Sequence, residues 1–268
     1  MSNIQNIYDN DIFFEGYKEL RNNKNNYNIL QEKPAIRGLL PDMNGKTVLD
    51  LGCGFGENCV DFINKGAVRV VGIDISEKML TIAKGENACQ NIEYIRLDMN
   101  DINTIDEKFD IVYSSLAFHY IKSFSNLLGN ISNLLKDNGL LIYSQEHPLT
   151  TAPKEGANWT RNENGEPLHY NLSDYMDSGE RSVKWFVDGV IKYHRPFSEI
   201  VNMLIEAGFM IERIIEPLPD EKALQLIPKM KKDIHKPNFL IIRSIKILPP
   251  QERLRHMAEA KVNASKPQ

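Results

Sequence analysis

Cysteine is scarce in this chain: Cys53, Cys59 and Cys89 are the only three in 268 residues, and no two stand in C-x-x-C spacing. That count excludes a disulfide framework and a cysteine-based zinc site, so no metal is expected and the thiols read as reduced, small apolar residues. Positive charge is not in excess either. A formal net charge of −4 argues against a general nucleic-acid or membrane-surface role, because both partners are anionic. Long apolar runs are missing: Phe239 to Leu248 is interrupted by Arg243 and Lys246 and is too short to span a bilayer. Met1 to Asn6 has no basic stretch followed by an apolar one, so no signal peptide is expected and a cytoplasmic protein is. Internal repeats are also lacking. The length suits one large domain carrying an insert better than two independent domains.

What is present is organised around Val48-Leu49-Asp50-Leu51-Gly52-Cys53-Gly54-Phe55-Gly56-Glu57. A short apolar strand runs directly into a glycine-rich turn and then into a helix starting near Glu57. Glycines on alternate positions remove the β-carbons that would keep a ligand off the backbone. The helix behind them directs free N–H groups and its positive end into the gap. At the edge of an open α/β sheet, such a turn is a nucleotide-type site. A dinucleotide turn reads G-x-G-x-x-G, whereas Gly52, Gly54 and Gly56 are one residue tighter, which fits the amino-acid part of a nucleoside better than a pyrophosphate.

Strands and helices alternate from there. Expected strands are Thr47 to Leu51, Val68 to Ile73, Ile92 to Leu97, Phe109 to Ser114 and Leu140 to Ser144. Helices between them carry Cys59, Phe62 and Ile63, then Met79, Leu80 and Ile82 behind the cap Ser76, then Leu127 to Leu135. Such βα units predict a parallel sheet with helices on both faces. Before them, Ile12, Phe13, Phe14, Tyr17 and Leu20 mark a short N-terminal lid helix, and Pro34 to Leu40 a second one. After strand five the alternation breaks. Arg181 to Val187 and Val190 to His194 flank Asp188-Gly189, a strong hairpin signal, so residues 149–195 read as an inserted hairpin. A helix over Ser198 to Ala207, with Ile200, Val201, Leu204 and Ile205 inward, leads to strands Phe209 to Ile215 and Phe239 to Ile247. Residues 1–248 are thus expected to form one domain, with 249–268 a polar tail.

Three acids end successive units: Asp50 beside the glycines, Asp74 after strand two and Asp98 after strand three. A carboxylate past strand two can accept both ribose hydroxyls of a nucleoside lying across the sheet edge. Asp98 stands where the base would end, with Ile75 and Met99 as apolar faces for it. Singly, each aspartate also suits a turn or a helix cap; only the set points to a ligand.

These stretches, together with Gly72-Ile73-Asp74-Ile75-Ser76 and Leu97-Asp98-Met99, resemble the class I S-adenosylmethionine-dependent methyltransferases over roughly residues 45–145. The resemblance implies a Rossmann-like seven-stranded sheet of order 3-2-1-4-5-7-6 with strand 7 antiparallel, and S-adenosylmethionine as cofactor. Gly52, Cys53 and Gly54 would then line the methionine part, Asp74 and Ile75 the ribose and adenine, Asp98 and Met99 the adenine with Met79 nearby, and Ser115 and Leu116 the sulfonium. Tyr17-x-x-x-Arg21, Glu146-His147-Pro148 and His194-Arg195 look like an uncharacterised bacterial small-molecule branch, in which Lys33-Pro34 replaces an expected tryptophan-proline. Tyr17 and Arg21 share a helix face, and Arg21 could reach the cofactor carboxylate. No Asn/Asp-Pro-Pro-Tyr/Phe tetrad follows strand four, where Ser114-Ser115-Leu116-Ala117 stands, so a nucleic-acid acceptor is not expected.

Methyl transfer from a sulfonium is an in-line displacement, and a protein base matters only where the acceptor must lose a proton. His119, Glu146 and His147 are the catalytic candidates at the carboxyl edge, each of which could instead secure a turn. Trp185, His194 and Arg195 on the hairpin could contact a small organic acceptor, the basic pair greeting a carboxylate or phosphate. The insert's aromatic residues, Trp159, Tyr170, Tyr175, Trp185 and Phe186, could instead make a dimer contact, so monomer and homodimer both stay open. A nicotinamide-dependent oxidoreductase and a non-catalytic cofactor-binding module are the rival readings.

Overall fold

A computed structural model of the chain describes residues 6–247. Its main sheet contains β1 (Thr47–Leu51), β2 (Arg69–Asp74), β3 (Ile92–Arg96), β4 (Phe109–Ser115), β5 (Leu135–Glu146), β6 (Phe209–Ile215) and β7 (Phe239–Lys246). Across the sheet the order is 3-2-1-4-5-7-6, as the resemblance implies. β1 to β5 pair in parallel, and β7 runs antiparallel to both β5 and β6.

Alternation along the central strand builds two cores. Leu49 and Leu51 join Val71, Ile73, Val112 and Tyr143 on one face, while Val48 joins Val70, Ile111 and Ile142 on the other. Because side chains in a strand point alternately, Asp50 is carried to the Val48 face, and the next residues leave the sheet as the glycine turn. Helices Glu57–Asn64, Glu77–Glu86, Phe124–Leu134 and Phe197–Glu206 cover the two faces. Ser76 caps the second of these as expected, its Oγ accepting the Met79 amide at 3.1 Å.

Several local expectations are corrected. Ile12 is 69% exposed, because the N-terminal helix Asp11–Asn22 presents only a narrow stripe with Phe13 and Phe14 at its centre. Ile205 is 58% exposed: Ile200 and Leu204, one turn apart, take the inward line and rotate their neighbour to solvent. A π-helical turn, Asn28–Glu32, precedes the second helix, Lys33–Arg37. β5 starts at Leu135, with Gly139 inside the strand.

The insert also differs. Gly179–Trp185 pairs with Val187–His194, so the chain reverses at Phe186, whose φ is +59°, and Asp188-Gly189 forms an irregularity within the ladder. Pairing of the flanking aromatic residues outweighs the local turn preference of Asp-Gly. A second small hairpin, Trp159–Arg161 with Pro167–Tyr170, precedes it, and a short helix, Pro148–Thr151, follows β5. The expected polar tail, 249–268, lies outside the described residues.

Candidate functional site

The glycine turn is built as a cradle. The amides of Gly52 and Cys53 both donate to the Ile73 carbonyl at 2.9 Å, tying the turn to the end of β2. Gly52 has φ +74°, and a β-carbon there would lie 2.7 Å from Met99 Cε and 2.9 Å from Ala117 Cβ. A β-carbon on Gly54 would meet nothing within 4 Å, so the backbone there is open. Cys53 contributes only main chain, since its Sγ and that of Cys59 pack together against Gly72 beneath the sheet edge.

Two of the three predicted acids border this cradle under strain of burial. Asp74 accepts the Gly54 amide and the Ser76 amide, each at 2.9 Å. Burial pushes its carboxyl up to about 6 in spite of those amides. Asp50 is 1% exposed; its Oδ2 accepts from Cys59 Sγ at 3.4 Å, its Oδ1 has no partner, and burial pushes it up to about 7. Asp98 caps the 3₁₀ turn Met99–Thr104, with Oδ1 accepting from Asn100 at 2.8 Å, and Met99 reaches back over Gly52. Ile75 is half-buried, and Met79 is a buried residue of the helix that follows β2.

The N-terminal segment lies along the same edge. Asp9, which sequence reasoning missed, accepts from Ser76 Oγ at 2.5 Å and from the amides of Glu77 and Lys78, so the segment is pinned to the helix beside Asp74. Tyr8 meets Phe13 and Tyr17 edge to face while those two rings lie parallel, and Tyr17 reaches Phe55 of the glycine turn (6.0 Å) and Trp185 of the hairpin (6.1 Å). Arg21 is paired with Glu57 Oε2 at 2.7 Å, at the start of the helix behind the glycines, and Lys33 shares that oxygen at 2.9 Å.

At the ends of β4 and β5 the polar groups converge. Leu116 takes up left-handed backbone (φ +56°), a strained state for leucine, held by its amide donating to Ser144. Ser115 and Ser144 both donate to Glu32, at 2.9 and 2.5 Å. Glu32 is fully buried and burial raises its carboxyl against those serines; it escaped sequence reading because nothing local marks an acid on a π-helical turn. Glu146 pairs with Lys192 at 2.6 Å. Burial would raise the Glu146 carboxyl, but the ammonium of Lys192 outweighs it and holds it below the ordinary range. Burial drives the His119 imidazole down to about 4, so the ring is neutral.

The remaining candidates are tied to the scaffold. His147 Nδ1 accepts the Leu149 amide at 3.1 Å and Nε2 meets Glu216 at 2.7 Å, so both nitrogens fix the turn after β5. His194, fully buried, spans Thr151 Oγ1 (2.9 Å) and the Tyr175 carbonyl (2.8 Å). Arg195 donates to the carbonyls of Ile121 and Lys122 and lies over the Phe124 ring. Of the insert's aromatics, Trp185 and Phe186 pack on Phe13, while Trp159 and Tyr170 pair elsewhere, so they do not make one wall. A shallow groove of about 560 Å³ beside the Phe124–Leu134 helix carries no titratable side chain and stands apart from these groups.

The residues present fit an adenosyl amino acid. Gly54 leaves open backbone, the orphaned Asp50 Oδ1 suits an ammonium or its water, and Asp74 keeps lone pairs for ribose hydroxyls. Among the described residues no group of three metal-ligating side chains occurs, and no helix is long and apolar enough to cross a membrane.

Comparisons with known proteins give the family. A methyltransferase-domain family model matches residues 42–208. An uncharacterised protein of Haemophilus influenzae is 39% identical, covering 92% of this chain and 99% of its own. A crystal structure assigned as an S-adenosylmethionine-dependent methyltransferase from Listeria monocytogenes is 37% identical, covers 81% of this chain and 97% of its own, and superposes with a TM-score of 0.75. A second, from Mesorhizobium loti, is 33% identical over 80% of this chain and 97% of its own, with a TM-score of 0.75.

Proposed function

Because the chain belongs to the class I S-adenosylmethionine-dependent methyltransferases, we propose that it methylates a small organic acceptor held between the N-terminal helix, the turn after β5 and the hairpin Gly179–His194. The observation that carries this reading is the convergence of three segments distant in sequence over one end of the glycine turn: Tyr17 in ring contact with both Trp185 and Phe55, with the Glu146–Lys192 pair beside them. Aromatic rings beside a few placed polar groups suit a small organic molecule.

The cofactor supplies an electrophilic methyl group on a sulfonium. Asp74 is assigned to the ribose hydroxyls, Asp98 with Met99 and Ile75 to the adenine, and the Gly52–Gly54 backbone with Asp50 to the amino-acid end. Arg21, now on Glu57, is placed to exchange that partner for the cofactor carboxylate. Ser115 and Leu116 border the sulfur end, where the strained Leu116 backbone fixes the direction of approach. Alignment alone can supply roughly 7 to 11 kcal/mol of a displacement barrier. His119 and Glu146 are the groups at hand for the acceptor, and His147 serves by holding their strand end. His194 and Arg195 brace the hairpin that carries Trp185 to the acceptor.

The test is turnover with radiolabelled S-adenosylmethionine across a library of small metabolites. Label transfer to a small molecule that depends on Asp74 supports the reading; label found only on protein or nucleic acid overturns the acceptor class. Stabilisation by NAD but not by S-adenosylhomocysteine would overturn these cofactor roles.

A further inference from the structure

By position His119 is a candidate base, but its surroundings give it the opposite task. Its Nδ1 accepts the backbone amide of Glu146 at 3.4 Å, so that nitrogen bears a lone pair and no hydrogen. The ring is 2% exposed, and of the charged groups acting on it Lys192 and Arg195 oppose protonation while Glu146 alone favours it. A neutral imidazole whose Nδ1 accepts must carry its hydrogen on Nε2. Among the described residues nothing bonds that Nε2. His119 is therefore a fixed donor.

Lys192 stands beside it as a second donor. Its Nζ is 2.6 Å from Glu146 Oε1 and 5.2 Å from the centre of the Trp185 ring, so one hydrogen is committed to the carboxylate and two are left for another group. Lys236 also acts on Glu146, but its Nζ donates to Thr150 Oγ1 at 2.7 Å and Asn238 Oδ1 at 3.1 Å and its charge is faced by Asp233, so Lys192 is the cation left to this corner. His119 and Lys192 both present hydrogens here, and neither side chain beside them is suited to take a proton: Glu146 is held ionised by Lys192, and His119 has its lone pair occupied.

We propose that the acceptor is a carboxylate that binds already ionised, received by the Nε2–H of His119 and the ammonium of Lys192 against the Trp185 ring. This rests on the methyl-transfer function proposed for the chain. One carboxylate oxygen attacks the methyl carbon; the O–C bond forms as the C–S bond breaks, and the electron pair of that bond stays on sulfur. The acceptor's negative charge and the sulfonium's positive charge cancel. The products are a methyl ester and S-adenosylhomocysteine, and no proton is released, so a site without a base is sufficient.

The test uses the full chain and matched acceptors, phenylacetate against phenylethylamine and octanoate against octylamine, scored for S-adenosylhomocysteine formation and for proton release in weak buffer. Expected are turnover with the acids at zero protons per methyl, and in Lys192→Met a KM at least tenfold higher with kcat changed less than threefold. His119→Gln, which keeps a donor, should retain more activity than His119→Phe. Nitrogen-15 spectra of the imidazole, which need no acceptor, should show Nε2 protonated and Nδ1 bare from pH 5.5 to 8. The opposite tautomer, a titration near 6.5, turnover of the amines alone with one proton each, or no turnover and no binding of either acid to the S-adenosylhomocysteine complex would overturn the proposal and leave the cofactor reading intact. Failure of S-adenosylhomocysteine itself to bind would remove both.

Discussion

Phe186, at the tip of the insert, lies so close to Gly16 of the N-terminal helix that a β-carbon on Gly16 would come within 2.6 Å of Phe186 Cδ1. The contact joins two segments far apart in sequence into one cover over the glycine turn, and Phe186 adopts φ +59° to make it. Gly16→Ala adds about 0.8 to 1 kcal/mol of helix propensity while pushing the ring away. Global stability should therefore change by no more than about 1 kcal/mol, whereas S-adenosylhomocysteine should dissociate several-fold faster. Chemical denaturation and stopped-flow release check the two halves; an unchanged release rate would show that the two segments do not close together.

Cofactor affinity should depend on pH through Asp74. In the free protein burial holds this carboxyl up to about 6, and only its ionised form can accept from both ribose hydroxyls. The proton must leave before the ligand binds, so affinity for S-adenosylhomocysteine should rise as pH increases from about 5 to 7.5, by at most tenfold per unit. Asp74→Asn should weaken binding at every pH and flatten the part of the slope near 6. Calorimetry across that range decides it, and a wild-type affinity that falls with rising pH contradicts the assignment.

Glu32 should prove structural at a cost that shows its burial. Glu32→Ala leaves the hydroxyls of Ser115 and Ser144 without their acceptor and opens a cavity, which should cost about 3 kcal/mol. Glu32→Gln keeps the shape and one acceptor oxygen and should cost about 1 kcal/mol. Urea unfolding measures both; equal losses would mean that the carboxylate oxygens are not the partners of the two serines.

The neighbours Glu146 and His147 should separate cleanly. His147 has both nitrogens engaged in the turn, so His147→Ala should lower stability by about 1 to 2 kcal/mol and change kcat less than fivefold. Glu146→Gln releases Lys192 from its ion pair and should lower kcat/KM tenfold or more with little loss of stability. Steady-state kinetics beside thermal unfolding checks the pair, and the reverse pattern would exchange their roles.

How much of this was legible in the sequence depended on whether the signal was local. The parallel sheet with helices on both faces follows from βα alternation, the strand order is what the family resemblance implies, and β5 departs furthest from expectation, starting at Leu135 and not Leu140. Asp74 was readable as the acid that ends β2, and the structure sets it against the Gly54 amide. The hairpin tip was not, since Asp188-Gly189 is the stronger turn former by itself and yields only to the docking of Trp185 and Phe186 on Phe13. Asp9 and Glu32 act on groups far along the chain, and no periodicity announces such partners. His194 and Arg195 were read as facing an acceptor because they are polar, whereas burial has turned them onto backbone carbonyls.

Titration calorimetry of S-adenosylhomocysteine into the wild-type chain and into Asp74→Ala tests the central claim most directly. Saturable one-to-one binding that weakens at least tenfold in the variant is the predicted result. An absence of heat with the wild type, or equal affinity in both proteins, would contradict it.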